Sequence, residues 1–513
     1  MKRLQFFVLS IAIPLCSFAQ YEEAIKFGET ITIEDLRDNL TILASDAMEG
    51  RETGERGQKM AAAFIAYNFE QIGLKPVVKD GDSFSYYQKF ALQKSAPGEI
   101  YVTANGSKKI NGIDLIYWGS RSMDAPSKIE TVFLGKGSED AFTQIDISNK
   151  AVVIDGVGEG FQVWRKLSET ATKKNAGITF LIVAEDEETY APQLTQFKRY
   201  FMRGSLGFKS KEENQEDGGV FLISKELGAE LLNTDISKLN KASEDFASGK
   251  VAALTKLKTN TIEYKISQDN KEVWTENILG YLEGSDKKDE LVIITSHYDH
   301  IGKNGEEINN GADDDGSGTT SVIEIAEAFV EAKKAGHGPR RSMLFMTVTG
   351  EEKGLLGSRY YVENPVFPLE NTVVDLNIDM IGRHDDAHED NLDFVYLVGS
   401  DKLSSELHEL SEMTNKTFTG MSLDYTYNDE DHPDRIYYRS DHWNFAKNNI
   451  PIIFYFTGIH ADYHKPTDTI DKIEFDMLQK RAKLVYYTAW MIANRDTRLV
   501  VDKLQDTKID SNN

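Results

Sequence analysis

Four runs in the second half of this chain are apolar almost without interruption: "LVIIT" at 291–295, "SMLFMTV" at 342–348, "VVDLNI" at 373–378 and "IPIIFYF" at 450–456. A strand with one wet face alternates apolar and polar residues, so unbroken runs mark strands buried on both faces. Parallel sheets covered by helices on each side bury strands in that way. Between the first two runs Val322, Ile325, Ala326, Phe329 and Val330 recur at helical spacing. The expected fold class is therefore α/β, with a mixed, largely parallel central sheet flanked by helices. "NILGYLEGSDKKDELVIITSHYDH" (277–300) reads as a hairpin with its turn at Gly-Ser-Asp.

Each run leads into ionisable residues. The first ends in Ser296, His297, Tyr298 and Asp299; the second in Glu351 and Glu352; the third in Asp379; and His460 and His464 follow the fourth. Ligands of open α/β sheets bind outside the carboxyl ends of the strands, so one crevice can gather all of these side chains. "NGADDDGSG" (310–318) lies between the first run and its helix. Adjacent carboxylates repel one another, and a cation turns that repulsion into ligation. All ten histidines lie at or after His297, which confines imidazole chemistry to this part of the chain. Taken singly, each residue reads as a loop side chain or a helix cap; their convergence at one sheet edge points to a site. Histidines mixed with carboxylates suit zinc, cobalt or manganese. Neither HExxH nor GxSxG occurs, so Ser317 reads as a helix N-cap and not as a nucleophile.

The first residues, "MKRLQFFVLSIAIPLCSFAQ", have a basic start, a short apolar run and small residues before position 20. They read as a signal peptide over 1–19, which implies a periplasmic or extracellular protein; the run is too short to span a bilayer. Cys16 is the only cysteine and would leave with that segment, so neither disulfides nor a thiolate nucleophile are expected. A formal charge of −25 argues against nucleic acid and anionic membranes as partners. Texture divides the mature chain into 20–109, opening the domain that carries the candidate site; 110–255, a β-rich insert; 256–495, the main part of that domain; and a polar tail, 496–513. "GVGEG" (156–160) lacks the full dinucleotide fingerprint and an evident following helix, and reads as a loop.

"LASDAMEGRETGERG" (43–57), "SHYDHIG", "NGADDDGSG", "TGEEKGLLGS" (349–358), "NIDMIG", "RSDHWNF" (439–445) and "YHKPTDTID" (463–471) occur in one order. At these residues the chain resembles the M28 family of zinc exopeptidases, the co-catalytic di-zinc aminopeptidases. The insert resembles, more loosely, a protease-associated domain, through "VFLGKG", "IDISNKAVVIDG" and "KKNAGITFLIVAED".

The resemblance implies two Zn2+ per chain. His297 and Asp379 would hold one, Glu352 and His464 the other, and Asp314 would bridge them, with Asp313 and Asp315 beside the cationic charge. Asp299 would hydrogen-bond His297 and fix its ring, and Glu351 would be the general base. His460 competes with His464 for the late ligand, and the "YH" context with the following "PTDT" favours His464. His300, His432 and His442 are expected not to ligate, with His442 standing behind a ligand. The implied substrates are peptides with a free N-terminus: one zinc polarises the scissile carbonyl, a shared water gives its proton to Glu351 and attacks, and the proton passes to the leaving amine. The alternatives are a single-zinc glutaminyl cyclase or a carboxypeptidase-type enzyme on the same fold, or a non-catalytic binding protein with structural metals.

Overall fold

The computed structural model describes residues 15–209, 219–250, 252–257, 259–429 and 432–504. Most of the expected signal peptide and the end of the polar tail lie outside the described residues, while Leu15–Gly28 is helical. The chain divides into two compact units, Met1–Ala91 with Trp274–Asn513, and Leu92–Val273.

The first unit carries the apolar runs. The main strands of the sheet that bears them are β1 (Tyr87–Pro97), β2 (Gln268–Leu282), β3 (Lys287–His297), β4 (Arg341–Val348), β5 (Thr372–Ile378), β6 (Phe394–Val398), β7 (Ser422–Asp424) and β8 (Ile452–Phe456). They lie in the order β1-β2-β4-β3-β5-β8-β6-β7. The four central strands, β4, β3, β5 and β8, are parallel, while β2 and β6 run antiparallel to their central neighbours. The helices of interest are α1 (Ile33–Leu43), α2 (Arg56–Ile72), α3 (Gly318–Lys334) and α4 (Phe475–Asn494).

The unbroken apolar runs feed two cores by alternation, since successive strand side chains point to opposite faces. Val292, Ile294, Met343, Phe345, Ile453 and Tyr455 pack with the buried residues of α1–α4. Ile293, Leu344, Met346, Ile452 and Phe454 pack on the other side with Tyr361 and Phe445.

Residues 277–300 do not form the expected hairpin. β2 and β3 pair with opposite edges of β4, which lies between them. The connection from β3 through α3 returns as a parallel strand, the arrangement a strand–helix–strand unit favours. Gly284 makes room for it: a Cβ there would sit 2.4 Å from the Arg340 carbonyl oxygen.

The second unit is wider than 110–255. Tyr101–Ala104 and Ser107–Ile110, which precede it, and Thr261–Lys265, which follows it, are ladder strands of its eight-stranded sheet. The compact unit runs over Leu92–Val273, and composition does not report the backbone pairing that brings these flanking strands into it. The unit is also not simply β-rich. Its parallel strands Ser127–Phe133, Ala151–Asp155, Ile178–Ala184 and Val220–Ser224 are joined through helices. One of these, Phe161–Lys173, directly follows the "GVGEG" loop, contrary to the sequence expectation.

Candidate metal centre

The crevice forms where the order of strands reverses. From β3 the chain moves to β4 on one side and then to β5 on the other, so the loops leaving their carboxyl ends diverge. His297 is the last residue of β3, with Val348 of β4 as its register partner. A short turn after β4 carries Glu351 and Glu352, and Asp379 directly follows β5.

The loop carrying the three aspartates is fixed by Arg51, a residue with no role assigned from sequence. Its buried guanidinium donates to the carbonyl oxygens of Leu43 (2.7 Å), Tyr298 (2.8 Å), Asn310 (2.6 Å) and Gly311 (2.8 Å). One cation thus ties the end of β3 to the aspartate loop, through five donors in a rigid plane. Gly311 has φ 57°, and a Cβ there would lie 2.3 Å from the Asp314 carbonyl oxygen. A side chain is excluded on both counts.

The three aspartates point three ways. Asp313 accepts from the Gly382 amide at 2.6 Å and faces His460 Nε2 at 3.2 Å. Asp315 accepts from the amides of Gly318 (2.9 Å), His297 (3.1 Å) and Met380 (3.2 Å). It therefore caps α3, while Ser317 donates to the Asp313 carbonyl and accepts from the Ile381 amide instead of capping. Only Asp314 faces the crevice. Its Oδ1 lies 3.3 Å from His297 Nε2 and its Oδ2 3.1 Å from His464 Nε2. The two neighbours of Asp314 are thus held by backbone donors and His460.

Two donor groups flank Asp314. On one side His297 Nε2 is 3.5 Å from Asp379 Oδ1. On the other, His464 Nε2 is 3.1 Å from Glu352 Oε2. His464, not His460, is the histidine brought to this crevice. Glu351 lines the adjoining mouth with Met380, Ile436, Arg439, Phe454, Phe456 and Tyr463.

These donors fit divalent cations. Asp314 Oδ2 and Glu352 Oε1 are buried and have no hydrogen-bond partner among the described residues. Burial opposes a charged imidazole at His297, yet Asp379, Glu351 and Asp314 outweigh it and raise its pKa well above the ordinary range. Burial also opposes charge on Asp314, but His300, His297 and His464 hold its pKa well below the usual carboxylate range. For Glu352, burial and Asp314 work against ionisation, and His300 and His464 bring its pKa down to about 2. Surroundings that favour positive charge on imidazoles also favour a bound cation. Asp315 stands near His297 and Asp379, but its oxygens accept from three amides, which leaves Asp314 as the carboxylate facing the crevice.

Glu351 differs from its neighbour. Burial, with repulsion from Glu352 and Asp379, raises its pKa well above the usual range.

Asp299 departs from expectation in one respect. His297 Nδ1 bonds its backbone carbonyl oxygen at 3.0 Å, while the carboxylate lies 3.9 Å away. That carboxylate accepts instead from Thr53 Oγ1 (2.6 Å) and the Glu351 amide (3.3 Å). It therefore joins the end of β3 to the turn after β4. His442 bonds the Tyr437 carbonyl at 2.8 Å and stacks on Phe454, away from the ligand set, and His432 faces Asp434.

Sequence reasoning passed over Ser440, which donates to Asp379 Oδ2 at 2.7 Å. It also passed over Asp468, which accepts from the amides of Asp313 and Asp314, and Tyr463, whose ring stacks on His464 at 3.9 Å. All three lie inside motifs already singled out, but spacing alone names no partner for them.

Residues 277–489 match the description "Peptidase family M28". A probable leucine aminopeptidase of Arthroderma otae is 31% identical over 215 residues, covering 40% of this chain and 55% of that protein. Aminopeptidase YwaD of Bacillus subtilis is 25% identical over 303 residues, covering 55% of this chain and 59% of that protein. The chain thus spans little more than half the length of these curated relatives. Among solved structures, an aminopeptidase from Aneurinibacillus sp. strain AM-1 superposes with TM-score 0.55 at 19% identity, covering 94% of this chain and 98% of that one. The Bacillus subtilis zinc aminopeptidase BSAP gives TM-score 0.52 at 18% identity, covering 93% and 99%. These likenesses establish the shared fold. Residues 277–489, which carry the ligand-type residues gathered at the carboxyl ends of β3, β4, β5 and β8, are thus similar to peptidase family M28.

Proposed function

We propose that this protein is an exported metallo-aminopeptidase that hydrolyses the N-terminal peptide bond of peptides, with two Zn2+ per chain. The observation that carries the reading is the divergence of the two Asp314 oxygens, one toward His297 and Asp379, the other toward His464 and Glu352. A carboxylate shared in that way suits the paired cations of two-metal hydrolases. The names of the relatives, aminopeptidases and a zinc aminopeptidase, agree with it.

When bound, such cations supply Lewis acidity and ease deprotonation of water. Each of the other tasks falls to side chains. His297 and Asp379 would hold one cation, Glu352 and His464 the other, and Asp314 would contribute to both. The bond from His297 Nδ1 to the Asp299 carbonyl fixes the ring so that Nε2 faces the site. Glu351 Oε accepts the proton of the attacking water and returns it to the leaving amine. Its raised affinity for protons suits both halves of that exchange. The apolar side chains of Ile436, Phe454 and Phe456 line the mouth beside Glu351. The second unit, protease-associated in character, has no histidine and takes no part in the proton chemistry.

Aminoacyl anilides with free amines, assayed with and without chelator, test the reading. Turnover that disappears with chelator and returns with zinc is expected. N-acetylated substrates should be inert, whereas cleavage of N-blocked peptides from the C-terminus would replace this reading with a carboxypeptidase.

A further inference from the structure

His300 is fully buried, and neither of its ring nitrogens has a hydrogen-bond partner among the described residues. An unmet buried polar group costs about 1–3 kcal/mol, so the position calls for an explanation. Its Nδ1 lies 2.8 Å from Glu352 Oε1 and 3.7 Å from Asp314 Oδ2. The first distance would allow a hydrogen bond, but Glu352 Oε1 also remains without one. His464 approaches the same two carboxylates, at 3.1 Å from the other Glu352 oxygen, Oε2, and 3.1 Å from the same Asp314 Oδ2. The two imidazoles stand 5.7 Å apart and nearly perpendicular, at 75°. Close, misaligned contacts between lone-pair donors are what ligands of one ion show, because each points at the ion and not at its neighbour.

The ring is also locked in place. The His300 amide donates to the Arg51 carbonyl at 3.2 Å. Its ring packs on Gly311, where a Cβ would come within 2.7 Å of it.

We propose that His300 Nδ1 is a further protein donor to the cation position formed by Asp314, Glu352 and His464. The inference rests on the metal reading above and deepens it. That position then has two imidazoles and two carboxylates, whereas the position at His297 and Asp379 has one imidazole. The nitrogen-rich position holds zinc more tightly and fills first.

The test uses the full chain, stripped of metal and titrated with Zn2+ or Co2+, as wild type, His300→Ala and His300→Asn. Asparagine can still donate a hydrogen bond to Glu352 but is a poor ligand. The readouts are stoichiometry, affinity by chelator competition, and the visible absorption of the cobalt form, with circular dichroism to confirm folding. Both variants should lose at least about tenfold in affinity for the tighter cation alone, with a changed cobalt spectrum. If His300→Asn matches wild type while His300→Ala does not, His300 is only a hydrogen-bond donor and the proposal is overturned. Wild-type affinity and spectrum in both variants overturn it equally. If His300→Ala does not fold, His300→Asn decides alone. If wild type takes up no divalent cation, the metal reading itself fails, an outcome distinct from the others.

Discussion

Asp313, Asp314 and Asp315 leave one stretch of backbone in three directions, which makes their adjacency tolerable. Asp313 and Asp315 are spent on amides and His460, so only Asp314 competes for the crevice. Glu351 and Glu352 divide in the same manner. Glu352 is drawn among His300, Asp314 and His464, whereas Glu351 lines the open mouth. Their substitutions should therefore separate chemistry from ligation. Glu351→Gln should keep the metal content of the wild type while kcat falls by about 10²–10⁴-fold. Glu352→Gln should lose affinity for one cation, and excess zinc should restore part of its activity. Metal analysis and kcat on both variants check this, and the opposite pattern would exchange the two roles.

At the scale of elements, α3 is the structural centre of the first unit, and it carries a buried carboxyl on its inner face. Glu324 accepts from Asn39 Nδ2 at 2.9 Å. Burial, reinforced by Asp35 and Glu327, pushes its pKa up to about 8, against an ordinary value of 4.5. Between those values the folded chain holds a proton that the unfolded chain has released. Stability from this group is then complete below about pH 4.5 and declines as pH rises toward 8. Glu324→Gln keeps an acceptor for Asn39 and cannot ionise. It should raise the melting temperature near pH 8 and leave it nearly unchanged near pH 4.5. Thermal melts at the two pH values decide, and an equal effect at both would show that Glu324 does not titrate in this range.

For the whole molecule, the two units separate the metal ligands from the rest of the chain. Every proposed ligand lies in Trp274–Asn513, and none in Leu92–Val273. A ligand that binds only the folded state stabilises it by about 2.7 kcal/mol when present at 100 times its dissociation constant. Calorimetry with and without chelator should thus show a transition for the first unit that moves down on metal removal. The transition of the second unit should stay in place. A single transition that moves as one would mean that the units unfold together.

The central strands could be read from the chain because double-sided burial leaves an unbroken apolar signature, and their ends could be located because ionisable residues interrupt it. The α/β class and the segments bearing His297, Asp314, Glu352, Asp379 and His464 followed from those local patterns. Pairing did not. Sequence proximity made β2 and β3 look like a hairpin, but β4, arriving from more than forty residues later, lies between them. Nor did composition reveal that Thr261–Lys265 is a ladder strand of the second unit. Side-chain direction was likewise out of reach. "ADDDG" presents three identical groups, and only the folded loop, held by Arg51, separates one that faces the crevice from two bound to amides. His300, three residues beyond His297, looked like a bystander by spacing. Burial beside Glu352 brings its ring to the donor set. Hydrophobic pattern and residue type are properties of short segments, whereas hydrogen-bond partners and metal-facing atoms depend on segments hundreds of residues apart meeting in space.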